Sequence, residues 1–201
     1  MSNILISTPS LGDVKTHYAF SLTQALKKDF KERNIISSCN FTSYSTICFA
    51  RNTLCKMFLE SDAEWLLFID SDIGFTYENI CQIYDKAVKG NVEVLSGCYY
   101  SYDEGNKRSF SVFSILEKDL EKDLNVAEWF GLGFCIISRS VLNKISLHTK
   151  TGEQFWFAES YSEENGYVGE DVFFLNLLKK NDIKIYIDPS IELGHSKNVI
   201  F

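Results

Sequence analysis

The stretch "WLLFIDSDIGF", Trp65 to Phe75, decides the fold. Five apolar residues run unbroken and stop on two aspartates, Asp70 and Asp72, held apart by Ser71. A run with no polar face belongs in the middle of a sheet covered on both sides. Working outward, "NILIST" (Asn3 to Thr8) and "IISSCNF" (Ile35 to Phe41) are β-branched-rich strands on the upstream side, and "VEVLSG" (Val92 to Gly97) is one on the downstream side. Helical spacing of apolar residues falls between them: Tyr18, Leu22, Ala25, Leu26 and Phe30, then Ile47, Ala50, Leu54 and Phe58, then Ile80, Ile83, Tyr84 and Ala87. Asp13 or Thr16 is placed to cap the first helix, which runs to about Arg33. Ile47 to Leu59 forms the second, and Thr76 caps the third, which Gly90 ends.

This alternation predicts an α/β protein whose first hundred residues form a mostly parallel, doubly wound sheet. The second half has another character. It offers strand-like pieces at Phe110 to Leu116 and Phe134 to Ser138, an aromatic segment "QFWFAESYSEENGYVG" with an Asn-Gly turn signal, and a helix from Glu170 to Lys180. A strand "IKIYI" and a tail "PSIELGH" close the chain. At 201 residues and 45% hydrophobic, the chain suits one domain, 1–201.

With 27 acidic against 20 basic residues, a net −7, and no dense Lys/Arg stripe, nucleic acid is excluded as a partner. The six cysteines have no metal-site spacing and read as free core thiols; neither a signal peptide nor a membrane-spanning run is visible. A soluble, reducing compartment, the cytoplasm, is expected.

In an open parallel sheet, ligands bind beyond the carboxyl ends of the central strands, which is where Asp70 and Asp72 fall. Residues i and i+2 of a strand share a side, so both carboxylates can enter one crevice, where their repulsion is relieved by a divalent cation. Simple capping of the next turn is the competing explanation, and burial of the preceding strand favours the metal. A second acidic pair, Glu170 and Asp171 after Gly169, opens the last helix. Capping accounts for it alone, but the same surroundings keep a carboxylate ionised, as a general base must be. His195, beside a glycine near the chain end, can join Asp72 on an Mn²⁺-like ion. His17 and His148 read as structural.

Taken in order, "ISTPS", "ARN" (Ala50 to Asn52), "FIDSDI" (Phe68 to Ile73), "GLGF" (Gly131 to Phe134), "GED" (Gly169 to Asp171) and "GH" (Gly194 and His195) resemble nucleotide-sugar-dependent glycosyltransferases of the GT-A fold. The likeness is to the short single-domain forms of large algal DNA viruses and bacteria, and it spans nearly the whole chain. It implies a Rossmann-like nucleotide-binding half, 1–100, and a smaller mixed acceptor-side half, 101–201. It further implies that Asp70, Ser71 and Asp72 hold the ribose and a cation, Mn²⁺ or Mg²⁺, with Asp72 the direct ligand and His195 completing the site.

By the same resemblance, Thr8, Pro9 and Ser10 line the nucleotide and Arg51 contacts the nucleotide or diphosphate. Gly131 to Gly133 approach the donor sugar or acceptor, and Asp171, or Glu170 in its place, is the catalytic base. The implied reaction moves a hexose from a UDP- or GDP-sugar to a hydroxyl of a glycan or protein-linked glycan, with inversion; a site without a carboxylate on the attacking side would argue retention. Phe155, Trp156, Phe157 and Tyr161 are either an acceptor wall or buried core, and Asn165 and Gly166 a candidate lid. Tyr44 is placed to stack on a base. Two other functions were weighed: a nucleotidyltransferase acting on sugar phosphates, against which "STPSLGD" lacks a Gly-rich basic loop, and a non-catalytic sugar-binding module.

Overall fold

The computed structural model describes residues 3–102, 108–110, 124–163 and 166–195. In order, the elements are β1 (Ile4–Ser10), α1 (Thr16–Glu32), β2 (Ile36–Ser43), α2 (Ile47–Leu59), β3 (Trp65–Ile69), β4 (Ile73–Gly74), α3 (Tyr77–Gly90) and β5 (Val94–Tyr102). There follow β6 (Arg108–Phe110), β7 (Asn125–Val126), β8 (Phe134–Ser138), α4 (Arg139–Ile145), β9 (Leu147–His148), β10 (Gln154–Phe155), β11 (Ser160–Ser162), β12 (Gly166–Val168), α5 (Glu170–Lys180) and β13 (Tyr186–His195). The expected strand at Phe110 to Leu116 lies, beyond Phe110, outside the described residues.

The central sheet runs β2-β1-β3-β8-β5-β13-β4, with β6 on β5 and β7 on β13. β2, β1 and β3 pair in parallel, as do β5 and β13. β8 is antiparallel to both neighbours and stands between β3 and β5. The sheet is mostly parallel, as expected, with this antiparallel strand from the second half of the chain set into it. The cause of the insertion is visible in "FCIIS": all five residues are buried, and a strand with no polar face is stable only inside a sheet.

Strand alternation divides the interior in two. Leu5, Leu66, Phe68, Cys135 and Ile137 face one core with Leu54 and Phe58 of α2, Leu142 of α4 and Phe174 of α5. Ile4, Ile6, Leu67, Ile69, Phe134 and Ile136 face the other with Tyr18 and Leu22 of α1 and Ile80 and Ile83 of α3. Neither proline breaks a ladder. Pro9 lies beyond Ser7, where pairing of β1 with β3 ends, and Pro189 falls in the gap between Asp188 and Glu192, where β13 leaves β5.

The caps differ from expectation at one end. α1 starts from Lys15 with no side-chain cap, so neither Asp13 nor Thr16 serves, and the Lys15 N–H donates to the Ser71 carbonyl at 2.9 Å instead. Thr76 does cap α3, in a reciprocal box with Asn79; Gly90 is the last helical residue, and Asn91 takes the left-handed turn. The first strand also runs further than expected, so Thr8, Pro9 and Ser10 belong to β1 and the loop begins at Leu11.

Candidate functional site

The site forms at the carboxyl edge of β3. As the continuation of the alternation that puts Phe68 on the α2 and α5 side, Asp70 emerges toward those helices. Its N–H donates to the Gly133 carbonyl at 2.9 Å, and its own carbonyl accepts the Ile73 N–H at 3.1 Å, so a tight turn carries the chain through Ser71 and Asp72 into β4. Three further contacts fix that turn: Lys15 N–H on the Ser71 carbonyl, His17 Nε2 with the Asp72 carbonyl at 2.9 Å, and the Phe75 N–H on Ser21 Oγ at 3.1 Å.

Arg51 is the organising charge. It is 3% exposed, its guanidinium 5.1 Å from the centre of the Phe68 ring. Nη2 donates to both carboxylate oxygens of Asp70, at 3.0 and 3.3 Å, and Nε stands 3.5 Å from Glu170 Oε1. That second approach is an ion pair without a hydrogen bond, and Nε and Nη1 have no hydrogen-bond partner. Burial works against the guanidinium's charge, but Asp70 and Glu170 outweigh it and hold the proton more firmly than usual. Burial likewise pushes the Glu170 carboxyl up, against the pull of Arg51. Asp171 beside it accepts the Val172 N–H at 2.8 Å in the first turn of α5.

Glycines 131 and 133 make room for a phenol. A Cβ added to Gly131 would come well under 3.0 Å from Tyr99 Oη, and one on Gly133 would lie 3.1 Å from Tyr99 Cζ and 3.2 Å from Asp70 Oδ2. The Gly133 N–H points at Tyr99 Oη at 3.4 Å. Burial, then the charge of Asp70, raises the phenol's pKa, so Tyr99 stays a neutral hydroxyl.

The structure thus brings Arg51, Asp70, Gly133, Glu170 and Tyr99 together. Asp72 is half-buried on the same turn, and strand pairing sets the backbone of His195 opposite Ile73, one residue past Asp72. Among the described residues no group of three or more His, Cys, Asp or Glu side chains is arranged to hold a metal ion. At the end of β1, Thr8 is fully buried and shares its hydroxyl hydrogen bond with Tyr18, Pro9 is buried, and Ser10 Oγ accepts the Gly12 N–H at 3.3 Å. The Tyr44 ring packs edge-on against Phe49 at 4.6 Å.

The aromatic segment divides. Trp156 and Phe157 are core, not acceptor wall: Trp156 Nε1 donates to the Leu142 carbonyl at 2.7 Å, and Phe157 stacks on Phe174 at 4.5 Å. Tyr161 is 78% exposed and pairs across the β11–β12 hairpin with Tyr167, 66% exposed, three residues before Glu170. Gly166 takes φ +65 at that hairpin, and Asn165 lies outside the described residues.

Sequence reasoning missed three residues. Tyr99 carries no local signal, being one tyrosine in an apolar strand. His17 bonds a backbone carbonyl that no pattern announces. Asn52, the third letter of "ARN", accepts the N–H groups of Trp156 and Phe157 at 2.8 and 3.0 Å and donates to the Phe157 carbonyl at 2.7 Å. Its place beside Arg51 was the available clue.

All six cysteines are free thiols, and no helix among the described residues is long and apolar enough to cross a membrane. No protein-family model matches the chain, and no curated protein matches it in sequence. Among solved structures, the A197 protein from STIV superimposes with a TM-score of 0.63 at 24% identity, covering 98% of this chain and 86% of that one. GalNAc-T7, crystallised with UDP, GalNAc and Mn²⁺, superimposes with a TM-score of 0.62 at 9% identity, covering 100% of this chain and 45% of that one. The mixed α/β architecture, a mostly parallel sheet flanked by helices, is that of a GT-A glycosyltransferase.

Proposed function

We propose that the protein is a metal-dependent glycosyltransferase that moves a sugar from a nucleoside-diphosphate donor to a hydroxyl, with inversion. The observation carrying this reading is the buried Arg51 shared between Asp70 at the strand edge and Glu170 at the head of α5. Taking a guanidinium out of water is costly, and Asp70 and Glu170 offset that cost, so Arg51 ties the two separated acidic motifs into one site. Asp70 lies just past the carboxyl end of β3, the kind of edge at which α/β sheets bind ligands.

Asp72, a carboxylate on a turn pinned from both sides, would suit a hard divalent ion such as Mn²⁺ or Mg²⁺, and His195, whose backbone pairs with Ile73, would complete the site. Because Arg51 already engages Asp70, Asp72 is the residue that would hold the ion. Bound there, the cation would offset the charge that builds on the leaving diphosphate. Arg51, with two buried N–H groups lacking acceptors, would orient Asp70 toward the ribose and present positive charge to the diphosphate. Thr8, Pro9, Ser10 and Ser71 would line the nucleotide, and the Gly131 to Gly133 turn, packed on Tyr99, would face the donor sugar.

Glu170 is committed to Arg51, which leaves Asp171 to take the proton of the attacking hydroxyl. The exposed Tyr161 and Tyr167 rings next to it offer apolar faces to a saccharide acceptor. The test is release of nucleoside diphosphate from UDP- and GDP-sugars with Mn²⁺ and a glycan acceptor. Wild type releases it when acceptor is present; Asp171→Asn binds the same donor with unchanged affinity and releases none. Full turnover in Asp171→Asn removes the base from that residue, and no release by wild type from any donor removes the function.

A further inference from the structure

A cavity of about 360 Å³ lies away from the acidic edge, between α1 and the segment Phe75 to Glu78. Phe20, Phe75 and Tyr77 form its apolar part, and Lys27, Lys28, Lys31 and one acid, Glu78, its charged part. Its volume falls within the range of small-molecule sites. Phe20, Gln24, Lys27 and Lys31 recur at helical spacing, so one stripe of α1 supplies an aromatic ring at one end and two ammonium groups at the other.

Charge balance inside the cavity is uneven. Lys28 is paired with Glu78 and Glu32. Lys27 and Lys31 have no carboxylate within 4.0 Å among the described residues, and Asp29, the acid between them in sequence, is turned inward to accept the Ile35 and Ile36 N–H groups and the Tyr77 hydroxyl. Two like charges one helical turn apart destabilise the helix that carries them unless an anion lies between them. In a chain of net charge −7, this is a local excess of positive charge bordered by aromatic surface.

The geometry points to a second ligand site here, one that takes a phosphomonoester bearing an apolar or aromatic body: the phosphate between Lys27 and Lys31, the body on Phe20 and Phe75. A dianion matches two unpaired ammonium groups better than a single carboxylate does, and lysine binds phosphate as a point charge without needing fixed geometry. The chemistry is shared by a soluble aryl or alkyl phosphate and by the headgroup of an anionic lipid. The site makes no use of Asp70, Asp72 or Asp171, so it stands or falls separately from donor binding.

The experiment titrates the whole chain with naphthyl phosphate, naphthol and inorganic phosphate by fluorescence and calorimetry, and measures co-sedimentation with phosphatidylcholine vesicles with and without phosphatidic acid. Naphthyl phosphate is expected to bind at least about tenfold more tightly than either naphthol or inorganic phosphate. Lys27→Gln/Lys31→Gln and, separately, Phe20→Ser are each expected to weaken it about tenfold without lowering the melting temperature and with UDP binding unchanged. Sedimentation with phosphatidic acid vesicles that the double variant abolishes assigns the lipid as the source; binding of the soluble ester without sedimentation assigns a free metabolite. Equal affinity for inorganic phosphate, binding indifferent to the lysine pair, or no binding of ester or vesicle overturns the proposal.

Discussion

Gly131→Ala tests the contact between the glycine turn and Tyr99. The backbone at Gly131 is not among the glycines with positive φ, so an alanine there costs nothing in dihedral strain, and among the described residues the nearest obstacle is the phenol. The added methyl meets Tyr99 Oη well under 3.0 Å away and Cζ at 3.1 Å. Either the turn or the ring must shift, and overpacking of this kind costs about 1–3 kcal/mol. For a chain of this size that lowers the melting temperature by roughly 2–12 °C, at about 2–4 °C per kcal/mol.

Removing the hydroxyl relieves most of the clash, because Cζ at 3.1 Å needs only a small adjustment. Tyr99→Phe by itself gives up one long hydrogen bond from the Gly133 N–H, worth about 0.5–1.5 kcal/mol. The double variant is therefore predicted to be more stable than the sum of the single effects, by about 1 kcal/mol or more of coupling. Thermal unfolding of the four proteins measures it. Additive shifts, or a Gly131→Ala protein that melts within 1 °C of wild type, refute the reasoning.

Two further predictions concern the supports of the site. Asn52→Ala leaves the N–H groups of Trp156 and Phe157 without acceptors, at about 1–3 kcal/mol each, so chemical denaturation should show a loss of roughly 2–6 kcal/mol, while Asn52→Asp, which keeps the acceptor oxygen, should lose less. Burial raises the Glu170 carboxyl above its ordinary 4.5, so the folded protein holds that proton more tightly than the unfolded chain does; stability therefore falls as pH rises through the window just above 4.5 and levels off beyond the folded value. Glu170→Gln should flatten that part of the stability curve, and an unchanged slope contradicts the assignment.

The N-terminal strands and helices were legible because each carries its period in its own residues: "WLLFI" and Ile47 to Leu59 appear in the structure with the boundaries their patterns imply. The place of β8 was not, because "FCIIS" announces a buried strand without saying which two strands it separates. Asp70 and Arg51 could each be picked from motifs, but their pairing depends on α2 packing over β3, a contact between separate elements. The aromatic segment left two readings open for a related reason: rings that suit a sugar also suit a core, and Asn52 holds Trp156 and Phe157 inward by their backbone. Tyr99 shows the limit most plainly, since the need for two glycines is written in one segment and the ring that imposes it in another.

The most direct test of the central claim follows Mn²⁺ by electron paramagnetic resonance as wild type and Asp72→Ala are titrated, each with and without UDP. Loss of the free-ion signal in wild type, deepened by UDP and absent from Asp72→Ala, is the predicted result. Equal binding of Mn²⁺ and UDP by both proteins contradicts the assignment of this acidic edge as the donor's metal site.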